Sequence, residues 1–166
     1  MKYYAGIGSR ETPNSILQRM KEIAQDLSRK GYILRSGGAD GADTAFEIGA
    51  GSRKEIFLPW KGFNGNDSEL CHPTLAAHNL AKSVIPWFDT LSQGAQKLHA
   101  RNAHQVFGYT LKEPVEFVVC WTPGGLPKGG TRTAIVLAQD AGIPIINLCL
   151  RDFNLREFEI VDFGEG

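Results

Sequence analysis

An α/β fold with a mostly parallel central sheet, covered by helices on both faces, is predicted by three observations. Strand-like apolar runs alternate with segments of helical period along the chain. The most strand-like run, Val115 to Trp121, is apolar nearly throughout, as a strand buried on both faces must be. Three glycine-bearing segments, GIGSR (6–10), SGGADGAD (36–43) and PGGLPKGGTRT (123–133), each join a strand-like run to a helix-like one.

Lys2 to Ile7 reads as the first strand. Pro13 suits the first turn of a helix capped by Thr12, since no backbone donor is needed there. Ile16, Met20, Ile23 and Leu27 recur at helical spacing until Gly31 stops the run. Tyr32 to Leu34 is a short second strand, Thr44 to Ala50 a helix, and Glu55 to Leu58 a third strand closed by Pro59. Residues 60–80, where Pro, Gly, Asn and Asp cluster, form an irregular insertion near the strand ends. Helices over about 73–84 and 91–107, separated by Pro86, precede Val115–Trp121, which should be a central strand. Thr131 to Ala141 is helical with Gly142 as its stop, Ile143 to Leu150 is another buried strand, and residues 156–163 alternate as an edge strand would.

A chain of 166 residues suffices for one domain, residues 1–166, that buries about 70% of its extended surface. Lys and Arg (18) balance Asp and Glu (18), so there is no long-range positive field to gather nucleic acid or an anionic membrane. The three cysteines, Cys71, Cys120 and Cys149, are an odd number without close spacing, and two lie in apolar strand-like runs; reduced core thiols are expected. No charged-then-apolar leader opens the chain and no run approaches ~18 apolar residues, which predicts a cytoplasmic protein without a membrane span. His99 and His104 are five apart, and His72 and His78 match metal-ligand spacing no better, so neither a metal nor a resident cofactor is expected.

The glycine segments are the candidate site. Backbone N–H groups at helix N-termini, unobstructed by a Cβ, bind anions, and three such loops on one sheet describe a phosphate cradle. In the first, Gly8 and Ser9 offer donors and Arg10 a bidentate clamp, while Glu11 stands where a dinucleotide fingerprint has its third glycine. In the second, Gly37, Gly38 and Gly41 let the backbone approach a ligand, with Ser36 a further candidate contact; Asp43 either accepts from sugar hydroxyls or caps the helix, and Asp40 suits a cap or turn. Glu47, one turn after Asp43, faces either the site or solvent. The third has Gly130 where a Walker lysine would stand, which leaves Gly129, Gly130, Thr131 and Thr133 for one phosphate, with Arg132 as clamp. Trp60, Phe63, Trp87 and Phe88 are available to stack on a base, or to serve as core or interface.

Taken in order, GIGSR, SGGADGADTAFEIGA, FLPW, the Arg101-Asn102 pair and GGTRTAIVLAQDAGIPI resemble the SLOG superfamily over most of residues 3–148. That superfamily includes the DNA-processing protein A family, the Lonely Guy phosphoribohydrolases and small stand-alone YspA-like proteins, to which the likeness is strongest. The resemblance implies a Rossmann-like three-layer fold whose loops bind nucleotide or NAD-derived ligands, and it promotes Arg101 and Asn102 to ligand contacts. The Lonely Guy pattern carries a catalytic glutamate where this chain has Ala134. The expected function is therefore recognition of a nucleotide or ADP-ribose-like molecule, as a signal sensor or a sink, by a homo-oligomer. The alternatives are N-glycoside cleavage, with Asp43 or Glu47 supplying the carboxylate, and single-stranded DNA binding, which the neutral charge disfavours.

Overall fold

The computed structural model describes residues 1–159. Strands β1 (Lys2–Gly6), β2 (Tyr32–Ser36), β3 (Lys54–Ile56), β4 (Val118–Cys120) and β5 (Ile145–Asn147) form one all-parallel sheet in the order β3-β2-β1-β4-β5. Helices α1 (Asn14–Arg29), α2 (Ala42–Ala50), α3 (Leu75–Val84), α4 (Gln93–Phe107), α5 (Arg132–Asp140) and α6 (Arg156–Glu159) complete the described chain.

Alternation along the strands builds two cores. Tyr4, Leu34, Phe117 and Val119 face one way and pack with Met20, Ile23 and Leu27 of α1 and Phe46 of α2. Ala5, Ile7, Val118 and Cys120 face the other way, toward Val106 of α4 and Ala134, Ile135 and Ala138 of α5. The result is a Rossmann-like three-layer α/β fold, with α3 docked on α4 and α5 through Ala77, Ala100, Ala103 and Leu137.

Several expectations change. Thr12 does not cap α1; Pro13 holds the cap position, and Thr12 Oγ1 instead donates to Ser9 O at 2.6 Å, closing the first loop. The apolar run around β4 is an interior strand, as expected, paired with β1 on one side and β5 on the other. Of Ile143–Leu150 only Ile145–Asn147 is strand, so Cys149 sits in the following turn and is exposed, whereas Cys71 in the insertion is buried. Arg156–Glu159 is a single helical turn: Phe158 stacks on Phe117, ring centroids 4.3 Å apart, so aromatic burial rather than edge pairing places it. The rest of the expected edge strand, 160–163, lies outside the described residues.

Tyr4 is the residue at which this core is least satisfied. Its ring packs among Tyr32, Phe46 and Phe117, but its hydroxyl is the one buried side-chain polar atom without a hydrogen-bond partner among the described residues. Burial drives its ionisation well above the usual tyrosine range. Tyr4→Phe keeps the ring and removes the orphaned group, so it should stabilise the fold by about 1 kcal/mol, raising Tm by about 2–4 °C. A lowered melting temperature would show that the hydroxyl is satisfied in solution.

Candidate functional site

The strand order places a crevice. The chain runs from β1 outward to β2 and β3, then returns to the other side of β1 for β4 and β5, so the loops after β1 and β4 diverge to opposite faces. Ligands of open α/β sheets bind at such a switch point, outside the carboxyl ends of the strands. A cleft of about 550 Å³ lies there, lined by Gly8, Ser9 and Arg10 of the first loop and Gly129, Gly130 and Thr131 of the third. The second loop reaches the same cleft through Ala39 and Asp43; Ser36, Gly37 and Gly38 do not line it.

The glycines divide by what surrounds them. A Cβ on Gly8 would sit 2.8 Å from Ala42 Cβ and 2.9 Å from Trp121 O, and one on Gly37 would collide with Gln105 Nε2 and the Arg101 guanidinium. Both glycines let protein pack on protein. At Gly129 and Gly130 a Cβ would meet nothing within 4 Å, so that backbone is open to a ligand. The turn Gly129–Thr131 runs straight into α5, and Asn102 Nδ2 fixes it by donating to Gly130 O at 2.6 Å.

Arg101, expected at the ligand, does not line the cleft. Its guanidinium is buried, donating to Gly37 O, to Asn102 Oδ1 at 2.8 Å and to Phe57 O at 3.5 Å. It ties the ends of β2 and β3 to α4, behind the wall that Asp43 presents. Arg132 and Thr133 are also turned away: Arg132 Nη1 donates to Val84 O at 2.9 Å beside the Trp87 ring, and buried Thr133 Oγ1 shares a 2.8 Å hydrogen bond with His99 Nδ1. Glu47 pairs with Lys54 at 2.8 Å and accepts from Asn66, outside the cleft, and is no candidate for chemistry there. Ser36 Oγ donates to Gly6 O at 2.6 Å inside the sheet. Of the aromatics, Phe63 lines the cleft, Phe88 is buried, and Trp60 and Trp87 are exposed and do not line it.

Lys128, His99 and Gln105 line the cleft without having been singled out as contacts. Gln105 lies on the same face of α4 as Arg101, four residues on, a spacing that could have flagged it. The Arg10 guanidinium and the Lys128 ammonium carry no hydrogen bond or ion pair among the described residues, so two cations at the cleft are available to a ligand. Burial, reinforced by the charges of Arg101 and Arg132, lowers the His99 pKa and keeps the ring neutral at pH 7.

Asp43 is the strongly perturbed group of the cleft. Burial pushes its pKa up from 3.8 to about 6 against the opposing pull of Arg101 and of hydrogen bonds that include Ala39 N–H. The folded state therefore holds this proton more tightly than the unfolded chain. The associated stability is complete below about pH 3.8 and is lost as pH rises through about 6, a swing of about 3 kcal/mol. Asp43→Asn should remove this dependence. Thermal melts from pH 4 to 8 check it, and a wild-type slope retained in the variant would place the titrating group elsewhere.

Among the described residues no helix is long and apolar enough to cross a membrane. No family model matches the chain, and no curated protein matches it. Two solved structures are similar in fold. One is DNA processing protein A from Helicobacter pylori, described for its single-stranded DNA binding mode, with 17% identity, 88% of this chain covered and a TM-score of 0.58. The chain spans 64% of that structure's length. The other is TM1055, a structural-genomics target, with 20% identity, 87% of this chain and 72% of that one covered, and a TM-score of 0.51. These likenesses show the fold.

Proposed function

We propose that the chain binds a phosphate-bearing nucleotide or an NAD- or ADP-ribose-derived molecule in this cleft, as a sensor or a sequestering protein of the stand-alone YspA-like kind. The observation that carries the reading is the open Gly129–Thr131 turn at the start of α5, facing the switch-point cleft together with two uncommitted cations, Arg10 and Lys128. Backbone donors at a helix N-terminus take the phosphate, and the cations complete its charge. Isothermal titration of the whole chain with adenosine 5′-monophosphate and ADP-ribose tests it. Saturable binding that weakens with salt is expected, and no heat with either ligand, nor with other nucleoside phosphates, would end the reading.

A second reading is N-glycoside cleavage, favoured by Asp43, which lines the cleft and titrates near 6 and so can act as acid or base at neutral pH. It does not use the position at which Lonely Guy enzymes carry glutamate, since Ala134 is packed in the core between sheet and α5. Free base released from a nucleotide by the wild type, and not by Asp43→Asn, would establish this activity.

A further inference from the structure

We propose that the cleft contains a nucleobase subsite, in which Gln105 reads the hydrogen-bonding edge of a planar heterocycle stacked on Phe63. The proposal rests on the nucleotide reading above and deepens it, by naming the part of the ligand that the phosphate turn does not hold.

Gln105 is the unusual residue. It is only 2% exposed, yet its side chain takes part in no hydrogen bond among the described residues. Its polar atoms are not sealed in, because they are absent from the fully buried, unpartnered set that Tyr4 Oη alone occupies, and the residue lines the cleft. The surroundings make room for it: a Cβ on Gly37 would strike Gln105 Nε2. The amide is thus held in place with its hydrogen-bonding capacity unspent.

Phe63 supplies the adjoining flat surface. Its turn is clamped to the second glycine loop by Asn64, whose backbone is left-handed at φ +55° and whose Nδ2 donates to Gly38 O at 3.1 Å and Asp40 Oδ1 at 2.8 Å. Trp60 packs edge-on against the ring with centroids 5.3 Å apart, and the Arg101 guanidinium lies 5.7 Å from its centroid. The ring is held and still lines the cleft. The second loop follows β2 and the phosphate turn follows β4, on opposite sides of β1. Two inter-strand spacings, about 10 Å, separate them, the scale on which a nucleotide separates phosphate from base. A carboxamide presents a donor beside an acceptor, the complement of the amino edge of adenine, and Asp43 adds an acceptor in the same cleft. Adenine, with its amino group beside a ring nitrogen, is the base that probes this edge.

The test is titration calorimetry of the full chain, as wild type, Gln105→Leu and Phe63→Leu, with adenosine 5′-monophosphate and with ribose 5-phosphate. Wild type should bind the nucleotide at least tenfold more tightly than the sugar phosphate. Each variant should lose about tenfold in affinity for the nucleotide and keep its affinity for ribose 5-phosphate. Gln105→Leu replaces an unpaired amide with a side chain of similar volume and should fold, which a melting curve verifies; Phe63→Leu decides the matter if it does not. Equal affinity of the wild type for both probes, or unchanged nucleotide affinity in the folded variants, overturns the subsite and leaves the phosphate reading standing. Failure of the wild type to bind either probe overturns the subsite, and the phosphate reading falls with it when ADP-ribose and other nucleoside phosphates also give no heat.

Discussion

Arg101→Met is expected to destabilise the protein by about 3–5 kcal/mol, the largest effect of any substitution considered, because it leaves the buried Asp43 carboxylate without the charge that opposes its desolvation. The guanidinium also carries hydrogen bonds to Gly37 O, Phe57 O and Asn102 Oδ1, so its removal orphans carbonyls at the ends of two strands together with the amide that holds the Gly129–Thr131 turn. The loss should depend on pH. Without Arg101 the Asp43 pKa moves further above 6, so the variant should be closest to wild type near pH 4–5 and furthest from it near pH 8. Arg101→Lys should recover only part of the stability, since an ammonium cannot serve three acceptors arranged around a planar fork. Denaturant unfolding at pH 5 and pH 8 checks both points. A fully stable Arg101→Met that binds ligand poorly would return this residue to the binding site.

Gly130→Val is expected to abolish nucleotide binding, lowering affinity about 100-fold, the worth of two charge-assisted backbone contacts at ~1.5 kcal/mol each. The fold should survive, because a Cβ at 130 meets nothing within 4 Å and the residue is not among the glycines of positive φ. The contrast with Gly37 is instructive. Gly37→Ala places a methyl group against Gln105 and Arg101 and should cost stability first. Titration calorimetry and thermal melts of the two variants separate an open glycine from a packed one. Wild-type affinity in Gly130→Val would move the phosphate away from the third loop.

The layer architecture and the placing of the glycine loops at the strand ends are legible in the sequence. A βαβαβ alternation with an apolar run at residues 115–121 leaves few arrangements other than a parallel sheet, and glycine loops after strands must lie at the carboxyl ends. Periodicity is a local property, so the chain itself carries it. What each loop residue does is set by neighbours distant in sequence. Gly130 and Gly37 read alike as glycines after a strand, but Arg101 and Gln105 fill the space beside Gly37 and leave Gly130 open. Only the family resemblance points to Arg101 as a ligand contact; its burial against carbonyls 64 and 44 residues away spends its donors before a ligand arrives. The reverse holds for Gln105, unremarkable in sequence until the tertiary structure brings its amide, unengaged by the protein, to the edge of the cleft. Hydrogen-bond donors are finite, and only the folded arrangement decides which are consumed by the protein and which are left for something else.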